Sequence, residues 1–180
     1  MMYKKVVLGG GCFWCTEAIF RATPGVQQVS SGFSGGFIKN PAYREVCTGR
    51  TGHAEVVEIT YSPEMISFKD LVIIHLHTHN PTTLHKQGAD KGSQYRSVIF
   101  YADANEKEMA TAAINEMQPL WENPIVTEIV PFEVFYAAEQ QHQDYYTANA
   151  DAPYCQFIIT PKLKKYKKVQ QQLGFTTETE

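Results

Sequence analysis

The sequence predicts an α+β fold, a single domain in which helices pack on a mixed or antiparallel sheet. Three observations carry that reading. Short strand-like runs and helical periodicities are interleaved along the chain, without the strict strand–helix alternation of a parallel α/β protein. With 180 residues, 43% of them hydrophobic, the chain is long enough to bury one substantial core without staples. No repeat, low-complexity tract or linker divides it, so the domain is expected at residues 1–173, with 174–180 as a polar, mobile tail.

Taken in order, Lys5–Leu8 reads as a short apolar strand running into Gly9-Gly10-Gly11. A helical pattern follows Cys12-Phe13-Trp14-Cys15, with Ala18, Ile19 and Ala22 on one face. Residues Val26–Phe37 read as extended and end in turns at Gly35 and Gly36, and Asn40-Pro41 marks a loop leading into Tyr43–Cys47. Ala54–Tyr61 is the clearest strand: Glu55, Val57, Ile59 and Tyr61 share one face, Ala54, Val56, Glu58 and Thr60 the other. Phe68, Leu71, Val72, His75 and Leu76 have helical spacing. After a polar loop, Asn80–Gln94, strand character resumes over Tyr95–Tyr101. Asn105–Met117 is expected as a helix turning Met109, Ala112, Ala113 and Met117 inward. Ile125–Tyr136 is β-rich, Ala138–Asn149 helical, and Cys155–Ile159 a short apolar run. Leu163, Tyr166, Val169 and Leu173 then define the packed side of a last helix whose lysines face solvent.

A formal net charge of −3 argues against a general nucleic-acid binder, which would carry a basic footprint. No stretch has the length of a membrane span, and the first apolar run is too short for a signal-peptide core. Four cysteines in a chain of this length do not make a disulfide framework. A cytoplasmic protein using thiols for redox or nucleophilic chemistry is the expectation, as a monomer.

Cys12 stands at the mouth of a helix, where unpaired N–H groups and the positive end of the macrodipole favour an anion. Its pKa is therefore expected below the usual value of roughly 8.5 for a free thiol. The plainer alternative is that Cys12 and Cys15 are small buried hydrophobes. Phe13 and Trp14 would flank the sulfur with ring faces suited to a small apolar group. Glu55 lies on an otherwise apolar strand face, where desolvation would keep its carboxyl protonated near neutral pH, unless that strand end is open to solvent. Tyr43, Asp90 and Tyr95 lie in or beside glycine-bearing loops, where functional side chains are often mounted. Cys15 shares a helix face with Cys12, Cys155 is a second possible thiol partner, and Cys47 reads as structural. His75, His77 and His79 alternate, but alternate helical residues diverge and no ligand completes a tetrahedral set, so no metal or other cofactor is expected.

These residues fall within separated motifs in a fixed order: Gly11-Cys12-Phe13-Trp14, Asn40-Pro41-Ala42-Tyr43-Arg44-Glu45-Val46-Cys47, Gly52-His53-Ala54-Glu55, Gln87-Gly88-Ala89-Asp90 and Gly92-Ser93-Gln94-Tyr95-Arg96-Ser97. In this the chain resembles the A type of peptide methionine sulfoxide reductase. The resemblance implies a ferredoxin-like α/β plait and the reduction of (S)-methionine sulfoxide, free or in proteins. It implies Cys12 as nucleophile on the sulfoxide sulfur and Glu55 as the acid protonating its oxygen. Tyr43 and Tyr95 would hydrogen-bond that oxygen, Asp90 would orient the polar side, and Phe13 and Trp14 would hold the S-methyl group. Cys12 would pass through a sulfenic acid to an intramolecular disulfide, and thioredoxin would be the reductant. The chain departs from the common pattern at Cys15, often Gly, at Asn80, often Asp, and at Ala89, often Asn. Cys15 and Cys155 remain even as the resolving thiol. A Cys12–Cys15 bridge would strain the first helical turn, and Cys155 would need its loop to move inward.

Two readings from other classes are a thioredoxin-like disulfide oxidoreductase using Cys12 and Cys15, and a non-enzymatic thiol or metal-binding module. The first lacks the Trp-Cys-Gly-Pro-Cys type of site, and the second lacks suitable ligand spacing.

Overall fold

The computed structural model describes residues 2–174. Its first strand, β1 (Lys4–Gly9), runs through the middle of the sheet, so Val6, Val7 and Leu8 are buried on both faces. Helix α1 (Phe13–Arg21) follows, then β2 (Val26–Ser34), the short helix α2 (Tyr43–Val46), and β3 (Ala54–Tyr61). Helix α3 (Phe68–Thr78) starts on a Ser67 cap that accepts the Asp70 N–H at 3.0 Å. A hairpin of β4 (Lys86–Gln87) and β5 (Asp90–Lys91) leads to β6 (Val98–Tyr101) and α4 (Ala104–Met117). The chain then forms β7 (Glu128–Pro131), β8 (Tyr136–Ala137), α5 (Tyr145–Ala148) and α6 (Thr160–Leu173).

The large sheet has the order β7-β6-β1-β3-β2-β8, antiparallel except for the β6–β7 pair. Within it, β1-α1-β2-β3-α3-β6 makes a βαββαβ unit with spatial order β6-β1-β3-β2, which is the ferredoxin-like plait. The alternation of β3 separates two cores. Val57, Ile59 and Tyr61 join the main cluster under the helices, while Ala54 and Val56 join Val7, Val98 and Phe100 on the opposite face. Glu55 therefore points to the helical side, under α1. Helix α6 adds Tyr166, and in part Leu163 and Val169, to the same core. Among the described residues no helix is long and apolar enough to cross a membrane.

Several elements differ from the sequence expectation. Ala138–Asn149 is not one helix: a 3₁₀ turn at Gln140–His142 and the single turn of α5 replace it, with Asp144 at φ 49° between them. The Gln143 side chain is the cause. It accepts the Ser31 N–H at 2.9 Å and donates to the carbonyls of Ser31 and Ala138, pinning the segment to β2. Strand β6 begins only at Val98, because Gly92 turns the chain into a 3₁₀ turn over Ser93–Tyr95. Cys155–Ile159 is a π-helical turn that runs straight into α6. In α4 it is Ala110, not Ala112, that is buried beside Ala113 and Met117, and Ala22 is the exposed cap of α1. The tail expected over 174–180 lies outside the described residues beyond Gly174.

Candidate active site

The turn that mounts Cys12 has no room for side chains. A Cβ on Gly10 would lie 2.7 Å from the His79 ring, and one on Gly11, at φ 84°, would lie 2.7 Å from Gln87 Cγ. The Gly11 N–H donates to the Tyr95 carbonyl at 3.1 Å, tying this turn to the 3₁₀ turn. Cys12 follows as the extended N-cap of α1, its carbonyl accepting the Cys15 N–H at 3.1 Å. The imidazoles of His75 and His79 bond to this turn and its neighbour: His75 Nε2 meets the Gly9 carbonyl at 2.8 Å and His79 Nε2 the Ser97 hydroxyl at 2.7 Å.

No side chain of α1 caps its own N-terminus. Glu55 does so from β3: its Oε1 accepts the Phe13 N–H at 3.2 Å, one residue beyond Cys12. Glu55 Oε2 is buried without a partner among the described residues. Burial pushes this carboxyl up to about 8, opposed by the Phe13 N–H and aided by Asp90. Near pH 7 it is thus predominantly in the acid form, a buried O–H donor beside the thiol.

The thiol itself corrects the sequence expectation. Cys12 is only 8% exposed, and burial, then Glu55 and Cys15, push its pKa well above the ordinary value. Desolvation outweighs the favourable helix end, even though the Trp14 N–H and the Tyr154 hydroxyl both reach the sulfur.

Tyr43, from α2, and Tyr95, from the 3₁₀ turn, stand around the same carboxyl. Burial first, then Glu55, drives both phenols above their usual range, so both remain O–H donors. Phe13 is fully buried, its ring 5.6 Å from Phe33 and 5.8 Å from Tyr43. Trp14 is half-buried and stacks on Tyr145, with centroids 3.7 Å apart and planes within 7°. Asp90, on β5, is raised by burial and held back by Lys162 and the Tyr154 hydroxyl.

The structure thus brings Cys12, Phe13, Trp14, Tyr43, Glu55, Tyr95 and Asp90 together at one helix end. Cys15 belongs to the same place. A cavity of about 280 Å³ is lined by Cys12, Cys15, Gln87, Asp90, Tyr154 and Lys162, among others. Cys155 is fully buried at the start of the π turn, near enough to Cys15 to raise its pKa, and does not line that cavity. Cys47, read as structural, is exposed at the end of α2, its thiol bonded to Tyr43. The departures at 80 and 89 fall in the adjoining loop: Asn80 Oδ1 accepts from the Thr82 N–H and hydroxyl, and Ala89 sits in the β4–β5 turn.

The sequence reading missed Tyr154 and Lys162. The Tyr154 hydroxyl lies 3.6 Å from Cys15 Sγ and also reaches Cys12 and Asp90, and Lys162 acts on Cys15 and Asp90. Their one sequence signal was a tyrosine directly before Cys155.

Comparison with known proteins agrees with this geometry. The profile of the family described as Peptide methionine sulfoxide reductase matches residues 4–173. Peptide methionine sulfoxide reductase MsrA of Sulfolobus acidocaldarius is 50% identical over 165 residues, 92% of this chain and 94% of that protein. The solved structure of Mxr1 from Saccharomyces cerevisiae in reduced form superimposes with a TM-score of 0.81 at 34% identity, covering 85% of this chain and 89% of that one. Mxr1 in complex with Trx2 gives 0.58 at 27% identity, covering 79% and 84%. A cysteine at a helix N-cap beside a buried acid, on a plait matched over nearly its whole length, places this chain in the peptide methionine sulfoxide reductase family.

Proposed function

We propose that the protein reduces (S)-methionine sulfoxide, free or in proteins, through Cys12 and Glu55, and that thioredoxin recycles it. The observation that carries this is the Glu55–Phe13 bond, which fixes a protonated carboxyl and the Cys12 sulfur at the same helix end. Sulfoxide sulfur is a poor electrophile until its oxygen is protonated, so acid and nucleophile must reach one group. Glu55 gives its proton to the sulfoxide oxygen through the free Oε2, with the Tyr43 and Tyr95 hydroxyls donating to the same atom and Asp90 orienting the polar side. Cys12 Sγ attacks the sulfoxide sulfur and its proton returns to the Glu55 carboxylate. The oxygen then passes from the substrate sulfur to Cys12 Sγ: the S–O bond and the transient S–S bond both break, the thioether leaves with its electron pair, and Cys12 is left as a sulfenic acid. Because Cys12 is neutral at rest, its negative charge develops only during attack, against the Trp14 N–H and the Tyr154 hydroxyl.

Phe13 and Trp14, whose rings both pack against Tyr43, hold the S-methyl group in this reading. Cys15 resolves the sulfenic acid, expelling water and forming the Cys12–Cys15 disulfide. It shares the cavity and the Tyr154 contact with Cys12, whereas Cys155 is sealed in the core. The complex of the yeast relative with Trx2 supports a thioredoxin dithiol as the group that reopens this bond. We place the activity in one domain, residues 1–173, acting as a monomer in the cytoplasm, where the free thiols of the chain would remain reduced.

The test is reduction of a methyl sulfoxide with dithiothreitol. The protein should consume the S epimer alone, and Cys12→Ser should abolish the reaction. Turnover by Cys12→Ser would contradict the reading.

A further inference from the structure

A second cavity, of about 220 Å³, lies against the first, with His77, Gln87, Trp121, Lys162, Lys165 and Val169 in its walls. Gln87 and Lys162 line both. No carboxylate lines this second cavity among the described residues. Among the described residues neither lysine forms a salt bridge, and Lys162 acts on Asp90 of the adjoining cavity at longer range. The Trp121 Nε1–H is buried and has no acceptor among the described residues. Such a donor is costly to leave unmatched. The adjoining hairpin adds exposed Lys86 and Lys91, so a chain of net charge −3 concentrates positive charge beside its reactive thiol.

We propose that this cavity is an oxyanion subsite, which takes the carboxylate of an acidic residue flanking the oxidised methionine of a protein substrate. The inference rests on the methionine sulfoxide reading above. Lys162, whose charge also acts on Asp90 across the shared wall, and Lys165 supply cationic donors, and the Trp121 N–H a neutral one with no acceptor among the described residues. Val169 and the Trp121 ring supply apolar wall for the methylene stem of Asp or Glu. The shared wall places that carboxylate one side chain away from the cavity where Cys12 reacts. A substrate with its sulfoxide in one cavity and a neighbouring acid in the other satisfies both. Inorganic phosphate offers the same oxyanion chemistry and serves as the probe for a free-ion source.

The experiment compares kcat/KM for short peptides identical except for Asp, Ala or Lys beside the methionine (S)-sulfoxide, with N-acetyl-methionine (S)-sulfoxide amide as neutral substrate. Potassium phosphate is titrated at constant ionic strength. The expected result is a preference of about tenfold for the Asp over the Ala peptide, within the usual reach of one charge-assisted contact. Phosphate should erase it while leaving the neutral substrate unaffected. Lys165→Ala and Trp121→Phe should each reduce the preference and reduce the neutral substrate at the wild-type rate, which also shows that they fold. Equal kcat/KM for all peptides, with no effect of phosphate, overturns the proposal. Phosphate inhibition without peptide preference overturns the substrate assignment and gives the cavity to a free anion. Failure to reduce the neutral substrate would instead overturn the parent reading.

Discussion

Glu55 and Phe13 meet across 42 residues of chain: the carboxyl of a strand residue accepts the first backbone N–H of the helix that Cys12 caps. One carboxyl oxygen holds the helix, and the other is buried with no partner among the described residues. Glu55→Gln keeps an oxygen for the Phe13 N–H but cannot deliver an acidic proton. Its rate of sulfoxide reduction should fall by roughly a hundred- to ten-thousand-fold, the usual worth of general acid catalysis, while its circular dichroism is unchanged. An unaltered rate would remove the acid role.

The same carboxyl makes stability depend on pH. Its folded pKa, about 8, lies above the model-compound value of 4.5. Its favourable contribution is complete below about 4.5 and is lost as pH rises through 8. Glu55→Gln lacks this loss. The melting temperature of the variant relative to wild type should therefore rise from pH 5 to pH 9, and a constant difference would contradict the assigned burial.

His75 works in the other direction. Burial pushes its pKa down to about 4, so its neutral ring supports the fold fully above 6.5 and that support is lost as pH falls from there toward 4. His79 is lowered as well, by burial and by His75. Urea midpoints measured in the Glu55→Gln background, where the carboxyl limb is absent, should drop between pH 6.5 and 4. The shift of His75 alone is worth on the order of 3 kcal/mol. His75→Gln should flatten part of that drop.

Recycling separates the two thiols. Cys15→Ser should complete a first turnover at the wild-type rate and accumulate the Cys12 sulfenic acid, losing most of its thioredoxin-driven turnover. Cys155→Ser should recycle normally, at a modest cost in core stability. The reverse pattern, read by mass spectrometry after one equivalent of substrate, would reassign the resolving cysteine to Cys155.

Tyr145 fixes the Trp14 ring by a close parallel stack. Tyr145→Ala should cost about 0.5–1.5 kcal/mol of stability beyond lost area and raise KM for small methyl sulfoxides. A changed intrinsic tryptophan fluorescence would report the freed ring.

Much of this site was legible because it is built from regular periods. The alternation in Ala54–Tyr61 placed Glu55 with Val57 and Ile59, and that face is the one that packs beneath α1. The glycine run before Cys12 marked a strand-to-helix turn for reasons of space that the Gly10 and Gly11 contacts make explicit. What local pattern could not supply came from packing. Tyr154 and Lys162 reach the thiols only because the π turn and α6 lie against α1. The Ala138–Asn149 helix failed because the Gln143 side chain bonds the edge of β2, a long-range bond with no sequence period. The Cys12 pKa moved opposite to the expectation because a helix end is a local feature, whereas burial is set by everything that folds over it.

The most direct test of the account is the single-turnover rate of sulfoxide reduction by Cys15→Ser, which stops at the sulfenic acid, measured from pH 6 to 10 with Glu55 and with Gln at that position. The account predicts a rate that declines above about pH 8 when Glu55 is present, and a far slower rate without that decline in the Gln variant. The same decline in both proteins, or equal rates at neutral pH, would contradict it.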